Sequence, residues 1–168
     1  MNSNDFNTAF EEVIGHEGGF TLDPVDNGNW TGGKQGVGEL KGTKFGIAAN
    51  TYPHLDIKNL TVEQAKEIYR KDFWEKGKVN LLPIHLRGVY FNFSINMGRT
   101  GAAKILQKAA GVKADGIIGT QTLTSANDVS LERFLLFAYD RYMRIIAARP
   151  ANARFAKGWS NRVLSFLS

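Results

Sequence analysis

Glu17 has the setting in this sequence that most invites chemistry. The segment around it reads Asn4-Asp5-Phe6-Asn7-Thr8-Ala9-Phe10-Glu11-Glu12-Val13-Ile14-Gly15-His16-Glu17-Gly18-Gly19-Phe20. Phe6, Phe10, Val13 and Ile14 fall on one stripe of a helix expected over residues 4–17, and Glu17 continues that stripe in the last turn. A carboxylate placed there is desolvated and meets the negative end of the helix dipole. Both effects favour the neutral acid. A carboxylic acid kept protonated near neutral pH can serve as a general acid. The plain alternative is an exposed glutamate at a helix end, with no chemistry.

The next acidic group bears on that choice. Asp23-Pro24-Val25-Asp26-Asn27-Gly28 is made of ordinary turn residues. It fails as a calcium loop, because Val25 stands where a third oxygen ligand is needed and Lys34 where the closing glutamate belongs. It fits the needs of a glycosidase. Such an enzyme sets one carboxyl group to protonate the leaving oxygen and a second to activate water or stabilise the cationic transition state. Asp26 is the first choice for that second group and Asp23 the next. Thr43, in Thr43-Lys44-Phe45-Gly46-Ile47, offers a hydroxyl that could orient a water, or is an ordinary strand threonine.

Other chemistries lack their residues. Gly32-Gly33-Lys34-Gln35-Gly36-Val37-Gly38 matches neither a P-loop nor a dinucleotide fingerprint. His16, His54 and His85 do not recur at metal-ligand spacing, there is no cysteine, and no nucleophile elbow is visible. Neither a metal nor a cofactor is expected.

These residues need a scaffold. Residues 20–47 are dense in glycine, with Trp30, Val37 and Phe45 between, and predict a small β-hairpin or long loop. Helices dominate afterwards. Thr61-Val62-Glu63-Gln64 is a capping box ahead of Ala65, Ile68, Tyr69 and Phe73. Leu86, Val89, Tyr90, Phe93 and Met97 mark one face of the next helix. Thr100 is the expected cap of a third, Ser130 caps a long one ended by Pro150, and Trp159, Val163 and Phe166 lie on the last. The expected class is α+β and mostly helical. Leu82-Pro83-Ile84 is the best boundary, dividing the chain into 1–84 and 85–168, which are expected to pack as one body.

The 168 residues carry a net charge of +5, a field that favours polyanions such as nucleic acid, anionic lipid or an acidic cell wall. The basic residues are scattered among acids, so no nucleic-acid groove is indicated. No apolar run is long enough to span a bilayer, and no signal sequence is visible at the N-terminus.

Several motifs in order resemble one family. Glu17-Gly18-Gly19-Phe20, Asp23-Pro24-x-Asp26-x-Gly28 and Thr43-x-x-Gly46-Ile47 resemble the N-terminal motif of glycoside hydrolase family 108. Four further motifs resemble the predicted peptidoglycan-binding domain paired with it. They are Phe91-Asn92-Phe93-Ser94-Ile95-Asn96-Met97-Gly98, Ala102-Ala103-Lys104-x-Leu106-Gln107, Asp115-Gly116-Ile117-Ile118-Gly119-x-x-Thr122 and Lys157-Gly158-Trp159-x-Asn161-Arg162.

The resemblance implies a lysozyme-like fold and an N-acetylmuramidase of the phage-endolysin type. Such an enzyme cleaves the β-1,4 bond between N-acetylmuramic acid and N-acetylglucosamine in peptidoglycan glycan strands. By that resemblance Glu17 is the catalytic acid, and Asp26 and Thr43 complete the site. Asp23, Trp30 and Asn96 are the candidate substrate contacts: the glycine-rich loop, longer than most members carry, could offer the Trp30 face to a sugar ring, and Asn96 has turn or helix-cap duty as its plain alternative. The chain is then expected to act as a monomer without a membrane anchor, made in a host cytoplasm and reaching the wall through a separate membrane lesion. A lytic transglycosylase and a non-catalytic wall-binding module are the rival readings.

Overall fold

A computed structural model of the chain describes residues 3–14 and 19–167. Glu17, with Gly15, His16 and Gly18, lies outside the described residues. The chain divides into two compact units, Asn2–Asp72 and Phe73–Ser168.

The first unit opens with helix α1, Ser3–Ile14. Of its apolar stripe, Phe6, Phe10 and Ile14 are inside together with Ala9, and Val13 is half-buried at the stripe's edge. The Phe10 ring meets Phe6 at 6.0 Å and Tyr69 at 5.8 Å between centroids. Three two-residue strands follow, β1 (Phe20–Thr21), β2 (Thr43–Lys44) and β3 (Ile47–Ala48), in an antiparallel sheet of order β1-β2-β3. Phe20 pairs with Lys44 and Thr21 with Thr43, while Thr43 pairs with Ala48 and Lys44 with Ile47.

Phe45 and Gly46 form the two-residue turn between β2 and β3. Both have positive φ, 51° and 74°, as a type I′ hairpin turn requires. The Tyr69 hydroxyl donates to the Phe45 carbonyl at 3.0 Å. A Cβ on Gly46 would stand 2.6 Å from that same hydroxyl. The glycine of the Thr43-x-x-Gly46-Ile47 motif is therefore required twice, by φ and by space. Gly46→Ala is expected to lower stability by about 1–2 kcal/mol, read as a fall in the urea midpoint at constant slope. An unchanged midpoint would contradict this account of the motif.

Helix α2, Val62–Tyr69, starts from the capping box that its sequence announces. Thr61 Oγ1 accepts from Gln64 N at 3.2 Å, and Gln64 Oε1 accepts from Thr61 N at 2.9 Å.

The second unit is helical: α3 (Ile84–Met97), α4 (Arg99–Ala109), α5 (Thr120–Ser125), α6 (Leu131–Ala148) and α7 (Ala156–Leu164). Helix α3 is buried on more than the single face its spacing suggested. Phe91 and Ser94 are inside along with Leu86, Val89, Tyr90 and Phe93, while Ile84, His85 and Asn96 are exposed, so the helix is buried along most of its middle turns and open at its ends. Its aromatics run through the core. Phe91 meets Trp74 edge-on at 5.3 Å, and Phe93 meets Phe134 at 5.6 Å and Tyr142 at 6.0 Å. Helix α4 begins two residues earlier than a Thr100 cap would place it, because Gly98 at φ 77° breaks the chain between α3 and α4 and takes the cap position. Ala102, Ala103 and Ala109 give α4 a buried face of small side chains. Ser130 caps α6 by accepting from Arg133 N at 3.2 Å, and α6 stops at Ala148, two residues ahead of Pro150. Among the described residues no helix is long and apolar enough to cross a membrane.

Candidate active site

Two of the expected site residues, Asp23 and Thr43, meet on a residue that the sequence did not single out, Asn29. It sits in a short 3-10 turn, Asn27–Asn29, and is fully buried. Its amide nitrogen donates to the Asp23 carbonyl at 3.0 Å, and its amide oxygen accepts the Thr43 hydroxyl at 2.7 Å. Its backbone carbonyl accepts from Lys41 N at 2.9 Å and Gly42 N at 3.0 Å. One residue thus joins the Asp23–Asp26 turn and strand β2 through its side chain and the return of the glycine loop through its backbone. Nothing in the sequence marks it, since asparagine between glycine and tryptophan in a turn is ordinary.

The bond from Thr43 has a chemical consequence. An amide oxygen only accepts, so the Thr43 proton is committed to Asn29. The half-buried Thr43 oxygen keeps its lone pairs, and they can accept a hydrogen bond from a water or a sugar hydroxyl.

Asp26 is exposed and caps the 3-10 turn, one carboxylate oxygen accepting from Gly28 N at 2.8 Å. Asp23 is exposed as well and accepts from Val25 N at 2.9 Å. Each holds its turn with one oxygen. Trp30 is half-buried, and its indole N–H donates to the Pro24 carbonyl at 2.9 Å, tying the ring edge to the same turn. Trp30 also forms an antiparallel bridge to Leu40. Thr31 N donates to the Glu39 carbonyl at 2.9 Å and Gly32 N to the Val37 carbonyl at 3.1 Å, so the long loop folds back on itself as a short ladder. Gly42 lets this ladder rejoin the sheet, since a Cβ there would lie 2.3 Å from the Thr21 carbonyl oxygen.

Beside β1 and the end of the loop lies a recess of about 370 Å³. Phe20, Leu22 and Leu40 supply apolar walls, and Lys41, His54 and Asp56 supply polar groups. Hydrogen bonds from the side chain and backbone of Asn59 hold the Asp56 carboxyl below its ordinary range.

Asn96 lies in the helical unit, on α3. It is exposed but engaged, its Oδ1 accepting from the Tyr142 hydroxyl at 2.7 Å. Burial pushes that hydroxyl up to about 12, against the opposing effect of Arg162. The Tyr142 ring stacks on Trp159 at 4.6 Å and 12°, and Arg162 donates to Asn92 Oδ1 at 2.7 Å. The Asn92/Asn96 pair and the Trp159/Arg162 pair, distant in sequence, therefore clasp α3, α6 and α7 together.

The other two motifs of this half meet through buried Gln107. Its amide nitrogen donates toward Asp115 Oδ1 (2.8 Å), the Ile117 carbonyl (3.0 Å) and Thr122 Oγ1 (3.2 Å). Its oxygen accepts from Gly116 N at 2.8 Å. The Ile117 N–H, followed by Gln107, holds the Asp115 carboxyl below its ordinary range. Asp115 thus serves the turn.

Comparison with known proteins places these motifs. The family model described as Glycosyl hydrolase 108 matches residues 10–98, and that described as Predicted Peptidoglycan domain matches residues 101–164. Among solved structures, the chain is similar to the one described as "Structure of Brucella abortus SagA". The two are 29% identical with a TM-score of 0.77, over 97% of this chain and 91% of that one. No curated protein matches significantly. With a helical α+β fold of the lysozyme-like kind and a family model spanning more than half its length, the chain belongs to the glycosyl hydrolase 108 family, carries a predicted peptidoglycan domain, and is a peptidoglycan-hydrolysing enzyme.

Proposed function

We propose that the chain is a muramidase, a lysozyme-type hydrolase of the β-1,4 bond between N-acetylmuramic acid and N-acetylglucosamine. Glu17 protonates the leaving oxygen, Asp26 supplies the second carboxylate with Asp23 as the alternative, and Thr43 orients the attacking water. The observation that best supports this reading is the meeting of the Asp23–Asp26 turn and the Thr43 hydroxyl on Asn29. That arrangement leaves an acidic turn and a hydrogen-bond acceptor held by one buried group, as water activation needs. The mixed lining of the recess beside β1 suits a sugar ring, and so does the Trp30 ring held by its edge.

In this reading residues 1–84 carry the chemistry, residues 85–168 engage the wall, and a single chain suffices. We extend it to an endolysin role, in which a chain made in the host cytoplasm reaches peptidoglycan through a membrane lesion. The net charge of +5 favours contact with an anionic wall.

Product analysis on purified peptidoglycan tests the reaction. Mass spectrometry is expected to show muropeptides with ordinary reducing ends. Products lighter by one water, the 1,6-anhydro form, would replace the hydrolase with a lytic transglycosylase. Release of no new ends would leave only wall binding.

A further inference from the structure

In the helical unit, a recess of about 240 Å³ opens at the N-terminus of α4. Lys76, Lys78, Tyr90, Arg99, Thr100 and Gly116 are among its lining residues. None of the residues lining it is acidic.

Three features make this a built site. Tyr90 is fully buried, yet its hydroxyl has no hydrogen-bond partner among the described residues. A buried hydroxyl left unpaired is costly, and a ligand that accepts from it removes that cost. Burial pushes this phenol well above its ordinary value, so it remains a donor, and Arg99 is close enough to act on it electrostatically in the opposite sense. Arg99 itself has no ion-pair partner among the described residues. Finally, the first turn of α4 has no side-chain cap, which leaves amide donors and the positive end of the dipole at the same mouth.

The walls are fixed. Lys78 stands in the left-handed region at φ 55°, and its ammonium donates to the Ile118 carbonyl at 2.8 Å. The Gly116 turn presses on α4 so closely that a Cβ there would lie 2.7 Å from Thr100 Cγ2.

We propose that this recess binds a carboxylate of the peptidoglycan stem peptide, gripped by Arg99, the Tyr90 hydroxyl and the first-turn amides of α4. A guanidinium fork matches a carboxylate in two parallel bonds, and the phenol adds a third donor. The volume suits one terminal amino-acid unit. The identity of the ligand rests on the peptidoglycan reading above; the anion chemistry rests on the recess.

Titration of the full chain with a soluble stem tetrapeptide, followed by calorimetry or amide chemical shifts, tests this. Arg99→Ala is expected to weaken binding by about tenfold or more. Tyr90→Phe is expected to weaken it several-fold while leaving the melting temperature equal or higher, because it removes an unpaired buried hydroxyl. Lys108→Ala, which deletes the same charge elsewhere on α4, is expected to bind as the wild type does. A tetrapeptide amidated at its carboxylates should bind at least about tenfold more weakly.

Binding unchanged in Arg99→Ala and Tyr90→Phe would overturn the proposal. So would equal loss in Lys108→Ala, equal binding of the amidated peptide, or binding of inorganic phosphate in place of the tetrapeptide. A wild-type chain that binds the tetrapeptide at this recess but releases no reducing ends from wall would overturn the muramidase reading and leave this one standing.

Discussion

Glu17→Gln is expected to fold with wild-type stability and to lose about 10³-fold or more of its rate on purified peptidoglycan. The substitution keeps shape and volume and removes only the transferable proton. An amide cannot protonate the departing glycosidic oxygen, so bond cleavage loses its acid while binding of the glycan is untouched. On the apolar stripe that the sequence spacing predicts for it, a neutral amide is no harder to bury than a charged carboxylate, so unfolding should not obscure the result. The measurement is reducing-end release at matched concentrations, with a denaturation curve for each protein. Residual activity above about a tenth of wild type would remove Glu17 from the acid role. It would shift attention to the Asp23–Asp26 turn.

Asn29→Ala is expected to lose about 2–4 kcal/mol of stability. It removes the donor to the Asp23 carbonyl and the acceptor for Thr43, and it leaves a cavity at a fully buried position. At a temperature where the variant remains folded, kcat is expected to fall by about tenfold with less change in KM. The cause is that the Thr43 hydroxyl is then free to rotate. Two variants at Thr43 separate structure from chemistry. Thr43→Ser keeps the hydroxyl and should retain most of the rate. Thr43→Val keeps the β-branched shape of the strand and should lose rate as Asn29→Ala does. A folded Asn29→Ala chain with the wild-type kcat would limit Asn29 to a structural role and remove the orienting function from Thr43.

Much of the scaffold was legible because it is local. The capping box at Thr61–Gln64, the Ser130 cap and the stop before Pro150 each depend on residues within four positions of one another. The apolar stripe of α1 is likewise a matter of period. The start of α4 lies two residues ahead of the one a Thr100 cap implies, for an equally local reason: glycine tolerates the positive φ that separates two helices, and that outweighs a threonine cap. The burial of Phe91 and Ser94 on a second face of α3 was less legible, since spacing shows which residues share a face but not how many neighbours surround the helix.

The sequence by itself determined the order of motifs and, through them, the family and the class of reaction. It also determined that carboxylates, a hydroxyl and a tryptophan stand close along the chain near the N-terminus. Only the tertiary structure decided what those groups are joined to. Thr43 and Asn29 are 14 residues apart, Tyr142 and Asn96 46, Arg162 and Asn92 70. Buried polar groups must find partners wherever the fold brings them, and no periodicity encodes such a partner. The same reason hid Tyr90. Its spacing marked a core residue, correctly, and only the packed structure shows that its hydroxyl ends unpaired beside Arg99 at the mouth of α4.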